Sequence, residues 1–385
     1  MMANPKEKQG DREVFLDALR VMATMAVVMM HTISGVLNGG YDFTGYERRV
    51  KAFHALVDAT SWSVPLFLMI SGYLFLKPQK TITWKDAIFK YCRRIFLALL
   101  IFGVPFAFLE IFRYVGHFEW WMVPWTLGQV ATGQGWAHMW YLYLILILYA
   151  VTPLIKILLE RIPVKATYAI LIALAVGGSL LPFLQALLGA AKLIALPNQA
   201  IYVFYYLLGY VYSIRKKEPG RGEEIICLIS FGVVIGLEML LRFVPGYEID
   251  MAYGYPLTLA AALLLFNAGW GLERRRVGRT LAKESKLGGA ESETEAESTF
   301  GAESASRAKK EGWITHAILW LSPLCFGIYL IHPVFLNFFY KYMKLSIMNF
   351  RFYVGVPLFF LIAYVGALIG TWILRKIPVF RKYVL

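Results

Sequence analysis

The chain has 385 residues, of which 58% are hydrophobic and only 17% are charged, and its mean hydropathy is +0.57. A water-soluble domain of this length needs more charge on its surface, so the composition excludes that class. The net charge of +14 does not indicate a nucleic-acid partner, because cytoplasmic loops of membrane proteins collect Lys and Arg. Cys92, Cys227 and Cys325 are far apart and fit neither a disulfide framework nor a metal site.

Apolar runs of about 20 residues recur along the whole chain, which predicts an all-α, polytopic membrane protein with one integral-membrane domain over residues 1–385. The first run has a basic flank like a signal peptide, but it contains Arg20 and has no small-residue cleavage site, so we expect a retained helix. The ten predicted spans are 13–38, 52–76, 88–113, 137–155, 166–189, 198–215, 223–243, 251–272, 315–340 and 352–374.

The distribution of basic residues predicts the orientation of these spans. With both termini in the cytoplasm, the inner segments hold 29 Lys and Arg and the outer segments hold 9. Such an excess favours cytoplasmic termini. The longest connection, residues 273–312, begins with ERRRVGR and continues into ESETEAESTFGAES. It has no apolar periodicity, which predicts a disordered cytoplasmic loop, with a regulatory role as an alternative.

The first predicted span carries three ionisable residues, Asp17, Arg20 and His31, in LDALRVMATMAVVMMHTISG. Arg20 and His31 are eleven residues apart, close to three full helical turns, so both should lie on one face with a rise of about 16 Å between them. Asp17 is one turn before Arg20 and can pair with it. Ionisable residues inside a membrane usually serve function, although a structural Asp–Arg pair with a hydrogen-bonded histidine is the alternative.

Other polar side chains should lie near the outer side. The orientation puts the start of GWAHMWYLY, the end of FGIYLIHP and the end of the third span in the outer half of the membrane. Histidines and a carboxylate in one layer could supply a general base, while each histidine alone could equally be structural. The residues expected in this layer, besides His31, are Glu110, His138, Trp140, Tyr141, Tyr329 and His332.

A different chemistry is predicted at the inner side. The segment TWKDAIFKYCRRIF carries Lys90, Arg93 and Arg94, and Lys90 and Arg93 should share a helix face. Such a cluster suits a phosphate-bearing ligand from the cytoplasm; ordinary loop charge or lipid headgroup contact is the alternative. The second span contains Ser71 and Gly72, small residues that let another backbone or a ligand chain come close.

These segments together resemble the membrane-bound acyltransferase 3 family. The resemblance rests on Arg-x10-His after LDALR, on VPLFLMISGYLF, YCRRI, HMWYLYLILILY, LLGY and FGIYLIHP, which occur in the family's order and cover most of the chain. The chain looks most like stand-alone surface-polysaccharide O-acetyltransferases of bacteria. Where the family usually has an arginine at the start of the third helix this chain has Lys90, which keeps the charge but loses the fork geometry.

The resemblance implies transfer of an acyl group, often acetyl, from cytoplasmic acyl-CoA to a hydroxyl of a cell-surface or lipid-linked glycan. Acyl-CoA is then a substrate, with no permanently bound cofactor or metal, and membrane lipid is the surrounding partner in a bacterial cell membrane. The family pattern makes Arg20 and His31 the essential pair. We expect His31 to remove the proton of the acceptor hydroxyl, Arg20 to orient the pantetheine or stabilise developing negative charge, and Asp17 to hold Arg20 in place. Lys90, Arg93, Arg94 and Ser71 are the expected acyl-CoA-binding residues, and the outer layer is expected on the acceptor side.

Two functions from other classes compete with this interpretation. A secondary transporter also places charged residues in the membrane, and the Arg–His face could relay protons, but no inverted repeat or matched pair of interrupted helices occurs in the sequence. A non-catalytic membrane scaffold that docks partners through 273–312 is the third hypothesis, and it leaves Arg20 and His31 without a purpose.

Overall fold

The computed structural model describes residues 13–189, 199–216, 220, 222–247, 249, 252–287 and 312–385, with the side chains of 278–287 left out. These residues form helices joined by turns and contain no strand. In chain order the helices are α1 (Val14–Leu37), α2 (Glu47–Asp58), α3 (Ser63–Leu76), α4 (Trp84–Val115), α5 (Met122–Ala131), α6 (Ala137–Arg161), α7 (Val164–Leu187), α8 (Ala200–Ile214), α9 (Glu223–Leu241), α10 (Pro256–Leu287), α11 (Trp313–Met343), α12 (Phe352–Leu374) and α13 (Pro378–Tyr383).

The prediction of an all-α, polytopic membrane protein is confirmed. Within the described parts of the chain, nine helical segments are long and apolar enough to cross a membrane. The tenth predicted span, 198–215, corresponds to α8, which is apolar but shorter. We call the helix ends that the charge distribution assigns to the cytoplasm the inner ends, and the opposite ends the outer ends.

The structure differs from the sequence interpretation at two connections. The second predicted span, 52–76, is two consecutive helices, α2 and α3, which together cover Glu47–Leu76. Helix α10 does not end at residue 272 but continues to Leu287, so the predicted disordered loop 273–312 begins with helix. Its basic and acidic residues continue the helix because Glu, Arg, Lys and Leu have good helix propensity. Residues 288–311 of that loop lie outside the described residues.

Helix α1 is the central helix of the bundle. It packs against helices α2, α3, α10, α11 and α12. Most of its side chains are buried, including Asp17 at 5% exposure. A helix surrounded by others on several sides can hold polar residues away from lipid, because neighbouring helices supply their partners. This position explains how Arg20 and His31 can belong to a membrane-spanning helix.

The closest helix pair is α3 with α8, and glycines on both helices allow it. A Cβ on Gly72 would lie 1.8 Å from the carbonyl oxygen of Tyr206, and one on Gly209 would lie 2.1 Å from the carbonyl oxygen of Met69. The similar segments ISGY and LLGY therefore face each other across one backbone contact, as small residues do between membrane helices. The close approach brings α3, which carries Ser71, to a fixed position beside α8.

Replacing either glycine tests this contact. Gly72→Ala or Gly209→Ala forces the two backbones apart, and we expect a loss of stability at or beyond the upper end of the ~1–3 kcal/mol typical of overpacking. The matched control is Gly232→Ala, because a Cβ there meets nothing within 4 Å and alanine is the better helix former. Thermal unfolding followed by size exclusion measures the effect; equal stability of all three variants would contradict the packing described.

Candidate active site

Arg20 is held in a polar clamp near the inner end of α1. Its guanidinium donates to Asp17 Oδ1 and to Ser322 Oγ, each at 2.9 Å. Ser322 Oγ donates to the same Asp17 oxygen at 2.5 Å. The expected Asp17–Arg20 pair is therefore present, with a third member from α11 that the sequence interpretation missed. Three mutually bonded groups fix the direction of the arginine more firmly than a pair does.

Three histidines converge toward the outer half of the bundle. His31 from α1, His138 from α6 and His332 from α11 have ring centroids between 5.0 and 6.1 Å apart. His31 Nδ1 lies 3.0 Å from His332 Nε2. His138 and His332 are buried, at 5% and 0% exposure, whereas His31 keeps partial exposure. The three predicted histidines therefore form one contact cluster, in which His31 is the most exposed member.

A cavity of about 520 Å³ lies between the inner ends of the helices and this cluster. Its volume is within the usual range of ligand pockets. Arg20, Arg94 and Ser71 supply charged and hydroxyl groups to its wall, together with Tyr141, Tyr329 and other aromatic and aliphatic side chains. A mostly apolar lining with a few polar groups suits the long arm of a ligand rather than a compact ion.

The outermost wall of the cavity is one aromatic layer below the histidines. The Tyr329 ring lies 5.6 Å from the His138 ring and 6.3 Å from the His332 ring, and its hydroxyl donates to the carbonyl oxygen of His138. Tyr141 lies beside it, with ring centroids 6.0 Å apart. The cavity therefore includes Arg20 but stops at Tyr329 and does not include His31. A ligand arm must displace or pass this ring to reach the cluster.

Lysines surround the inner end of the cavity. Lys80 Nζ lies 4.2 Å from the Phe75 ring centroid and 5.2 Å from that of Tyr91, and both rings line the cavity. Lys90 Nζ also lies near the Tyr91 ring, 5.3 Å from its centroid. Lys156 donates to the carbonyl oxygens at the end of α3, including Lys77 at 3.0 Å. No ion pair joins Lys80 or Lys90 to a carboxylate within the described part of the chain.

The surroundings of Lys80 lower the pKa of its ammonium group. Burial, followed by the charges of Lys90, Lys77 and Lys156, lowers the pKa of Lys80 to about 8. Its ammonium is charged at neutral pH and loses the proton as the pH passes 8. A bound anion would relieve the repulsion among these lysines. The sequence interpretation missed Lys80, because a lysine in the turn after a membrane helix is indistinguishable from ordinary inner-loop charge.

The predicted basic pair on α4 lies at a π-helical turn. Residues Ala87–Cys92 form a π-helical turn, which is wider than an α-helical turn. Lys90 lies over Tyr91, whereas the Arg93 guanidinium lies over Tyr383 at 5.7 Å, so the two cations contact different rings. Arg94 lines the cavity and donates to the carbonyl oxygens of Val384 and Leu385, both at 2.8 Å.

The outer residues divide into two groups. Glu110 pairs with Lys341 at 2.5 Å and with Arg113 at 3.3 Å, so this carboxylate is bound to cations instead of joining the histidine layer. Trp140 stacks on Tyr253 with ring centroids 5.6 Å apart and lies 5.5 Å from Tyr202. All three aromatic residues are half-buried toward the outer side, and together they form an aromatic cluster.

Fold and site together define a polytopic helical membrane protein with an apolar cavity, a basic inner end and a buried cluster of histidines. A family model described as an acyltransferase domain, that of the acyltransferase 3 family, matches residues 13–376. The chain belongs to this family of membrane acyltransferases and is an enzyme of that kind. Comparison with curated proteins gives no match, and comparison with solved structures gives none either.

Proposed function

We propose that this enzyme transfers an acyl group, acetyl in particular, from cytoplasmic acyl-CoA to a hydroxyl of a cell-surface or lipid-linked glycan in a bacterial cell membrane. The observation that carries the proposal is the cavity, which joins a lysine-rich inner end to a wall one ring away from the histidine cluster. Acyl-CoA has the matching shape and charge, with phosphates at one end and a thioester at the end of a thin arm. It is consumed as a substrate.

The donor's phosphates fit the inner end. Lys80 and Lys90 lie against aromatic rings without carboxylate partners in the described chain, and such ammonium groups bind phosphate as point charges. Arg94 lines the cavity at the same end. This assignment keeps Lys90 and Arg94 from the sequence interpretation and adds Lys80, while Arg93 is directed toward Tyr383 instead.

Arg20 serves the donor arm rather than the reacting carbonyl. The rise between Arg20 and His31 along α1 is about 16 Å, so a guanidinium at Arg20 cannot hold an oxyanion that forms beside His31. Its clamp with Asp17 and Ser322 directs it into the cavity wall, where it can hydrogen bond the amide carbonyls of the pantetheine arm. Ser71 offers a hydroxyl on the same wall.

The chemical step takes place at His31. As the acceptor oxygen attacks the thioester carbon, the imidazole removes the hydroxyl proton, and the new C–O bond forms as the C–S bond breaks. The sulfur leaves as thiolate and takes the proton back from the imidazolium, so the products are the ester and CoA. We assign the base role to His31 because it is the most exposed member of the cluster, since His138 and His332 are buried.

The acceptor approaches from the outer side. The cluster of Trp140, Tyr202 and Tyr253 offers half-buried ring faces there, and aromatic faces combine an apolar surface with polar edges suited to a sugar. Tyr253 also connects this surface to α1, because its hydroxyl contacts Met30 Sδ at 3.8 Å, next to His31. Donor and acceptor can therefore meet at His31 without the acceptor crossing the membrane.

Release of CoA from acetyl-CoA by the purified protein in nanodiscs tests the proposal. We expect His31→Ala to lower kcat by about 10²–10⁴-fold, the usual contribution of a general base. Arg20→Ala should act mainly by raising KM for acetyl-CoA, because it removes a contact to the donor arm. The control is His117→Ala, an exposed histidine in an outer loop, which should retain wild-type rates; size exclusion checks that each variant is folded.

Two results would contradict the proposal. Either the wild type releases no CoA and binds no acyl-CoA, or folded His31→Ala releases CoA as fast as the wild type. Transport of an intact ligand into vesicles, with no cleavage of acyl-CoA, would favour the secondary transporter instead.

The pH dependence of donor binding tests the role of Lys80. Because the pKa of Lys80 is lowered to about 8, its positive charge is present at pH 7 and lost at pH 9, while the phosphates of CoA stay ionised over this range. We expect the Kd of CoA, measured by titration calorimetry, to rise by about tenfold, or ~1.4 kcal/mol.

The lysine variant separates this effect from general loss of charge. Lys80→Ala should bind CoA about as weakly at pH 7 as the wild type does at pH 9, with little further pH dependence. Lys165→Ala, which removes an exposed inner lysine away from the cavity, should behave like the wild type. An unchanged pH dependence in Lys80→Ala would exclude Lys80 as the titrating group.

A further inference from the structure

The hydrogen bonds of the histidine cluster determine which ring nitrogen carries each proton. His332 Nδ1 lies 2.8 Å from the carbonyl oxygen of Tyr329 and 3.1 Å from that of Ile328. A carbonyl oxygen can only accept, so Nδ1 of His332 must carry the hydrogen. In a neutral imidazole the second nitrogen is then bare, and Nε2 of His332 is an acceptor.

That acceptor faces His31. Nε2 of His332 lies 3.0 Å from Nδ1 of His31, with ring planes 25° apart. Since Nε2 of His332 has no hydrogen, Nδ1 of His31 must donate to it. Neutral His31 consequently carries its proton on Nδ1 and has a lone pair on Nε2.

We propose that His332 is a positioning residue that holds His31 in the Nδ1–H tautomer and so makes Nε2 of His31 the base. This inference rests on the proposed function, and it names the atom that removes the acceptor's proton. When Nε2 of His31 takes that proton, the resulting imidazolium still donates from Nδ1 to Nε2 of His332, which stabilises the positive charge until the proton passes to the leaving sulfur. Nε2 of His332 takes the place that the carboxylate has in a Ser–His–Asp triad, and the backbone carbonyls behind His332 fix its own tautomer.

His138 does not fill this role. Its Nε2 lies 3.3 Å from the carbonyl oxygen of Leu330, and its contact with His31 is edge-on with centroids 6.1 Å apart. Within the described part of the chain, His138 packs against both rings without a hydrogen bond to either, so it shapes the cluster while His332 directs the proton.

Nitrogen NMR of the protein labelled with ¹⁵N-histidine in nanodiscs tests the tautomer without reference to catalysis. The chain has only 6 histidines, and the His31→Gln spectrum identifies the His31 signals. We expect wild-type His31 to be protonated at Nδ1 and bare at Nε2. A wild-type His31 protonated at Nε2 at neutral pH would overturn the inference, whether or not the protein transfers acyl groups.

Two substitutions at His332 test its effect on the reaction. His332→Leu removes the acceptor, so we expect kcat to fall by at least about 10²-fold, with KM for acetyl-CoA nearly unchanged and the His31 proton moved to Nε2. His332→Gln keeps an acceptor oxygen near the Nε2 position and should restore most of kcat and the Nδ1–H form. His316→Gln, at an exposed histidine outside the cluster, is the matched control and should change neither readout.

The outcomes separate this inference from the proposed function. If folded His332→Leu keeps wild-type kcat, or if the glutamine variant is as impaired as the leucine variant with His31 still protonated at Nδ1, His332 does not act through the tautomer. If the leucine variant does not fold, the wild-type spectrum and the glutamine variant decide. Absence of acyl transfer by the wild type would contradict the proposed function alone, because the NMR result would still establish or exclude the hydrogen bond.

Discussion

The register between α1 and α11 is the constraint on which the site depends. Polar contacts join these helices at two levels. Ser322 bonds Arg20 and Asp17 near the inner ends. Farther out, His332 contacts His31 and the Tyr340 hydroxyl donates to the carbonyl oxygen of Thr32. Arg20 and His31 are eleven positions apart on α1, and Ser322 and His332 are ten positions apart on α11. Ser322 begins a 3₁₀ turn, which has a larger rise per residue than an α-helix, so the shorter stretch of α11 spans a similar length. The two helices run in the same direction, so these contacts form in one register, and a slip of one turn would break them.

Polar contacts between membrane helices have few competing partners, which makes such a register specific. Each interhelical hydrogen bond contributes only about 0.6–2 kcal/mol, and apolar packing supplies most of the remaining stability. These contacts determine the positions of two side chains: one directs Arg20 into the cavity wall, and the other places the partly buried His31 imidazole beside two buried ones. The glycine contact between α3 and α8 fixes a further wall of the same cavity, because α3 carries Ser71 and Phe75. A few close helix contacts therefore hold both the cavity wall and the His31 imidazole in place.

Much of this arrangement follows from the sequence, and the rest depends on long-range packing. The periodicity of α1 correctly places Arg20 and His31 toward one neighbouring helix, and the depth argument correctly predicts that His138 and His332 lie near His31. Ser322 could not be found this way, because a serine in an apolar segment carries no signal until its partner is known.

The residues whose surroundings differ from the sequence interpretation differ for separate reasons. Residues Ala87–Cys92 form a π-helical turn, and no propensity in AIFKYC indicates such a turn. Glu110 lies at the predicted depth but finds Lys341, which is 231 residues away in sequence. The extension of α10 to Leu287 follows good helix-forming residues that a search for apolar periodicity overlooks. Lys80 is distinguished only by the rings beneath it, which belong to two different helices.

The most direct test of the account is an experimental structure of the protein in nanodiscs with a non-hydrolysable thioether analogue of acetyl-CoA. The account predicts phosphates beside Lys80 and Lys90, the pantetheine arm along the wall that holds Arg20, and the carbonyl carbon of the analogue past a displaced Tyr329 ring, close to Nε2 of His31. An analogue bound at the outer side, or one whose carbonyl stays at the inner end with Tyr329 unmoved, would contradict the claim that the cavity delivers the acyl group to His31.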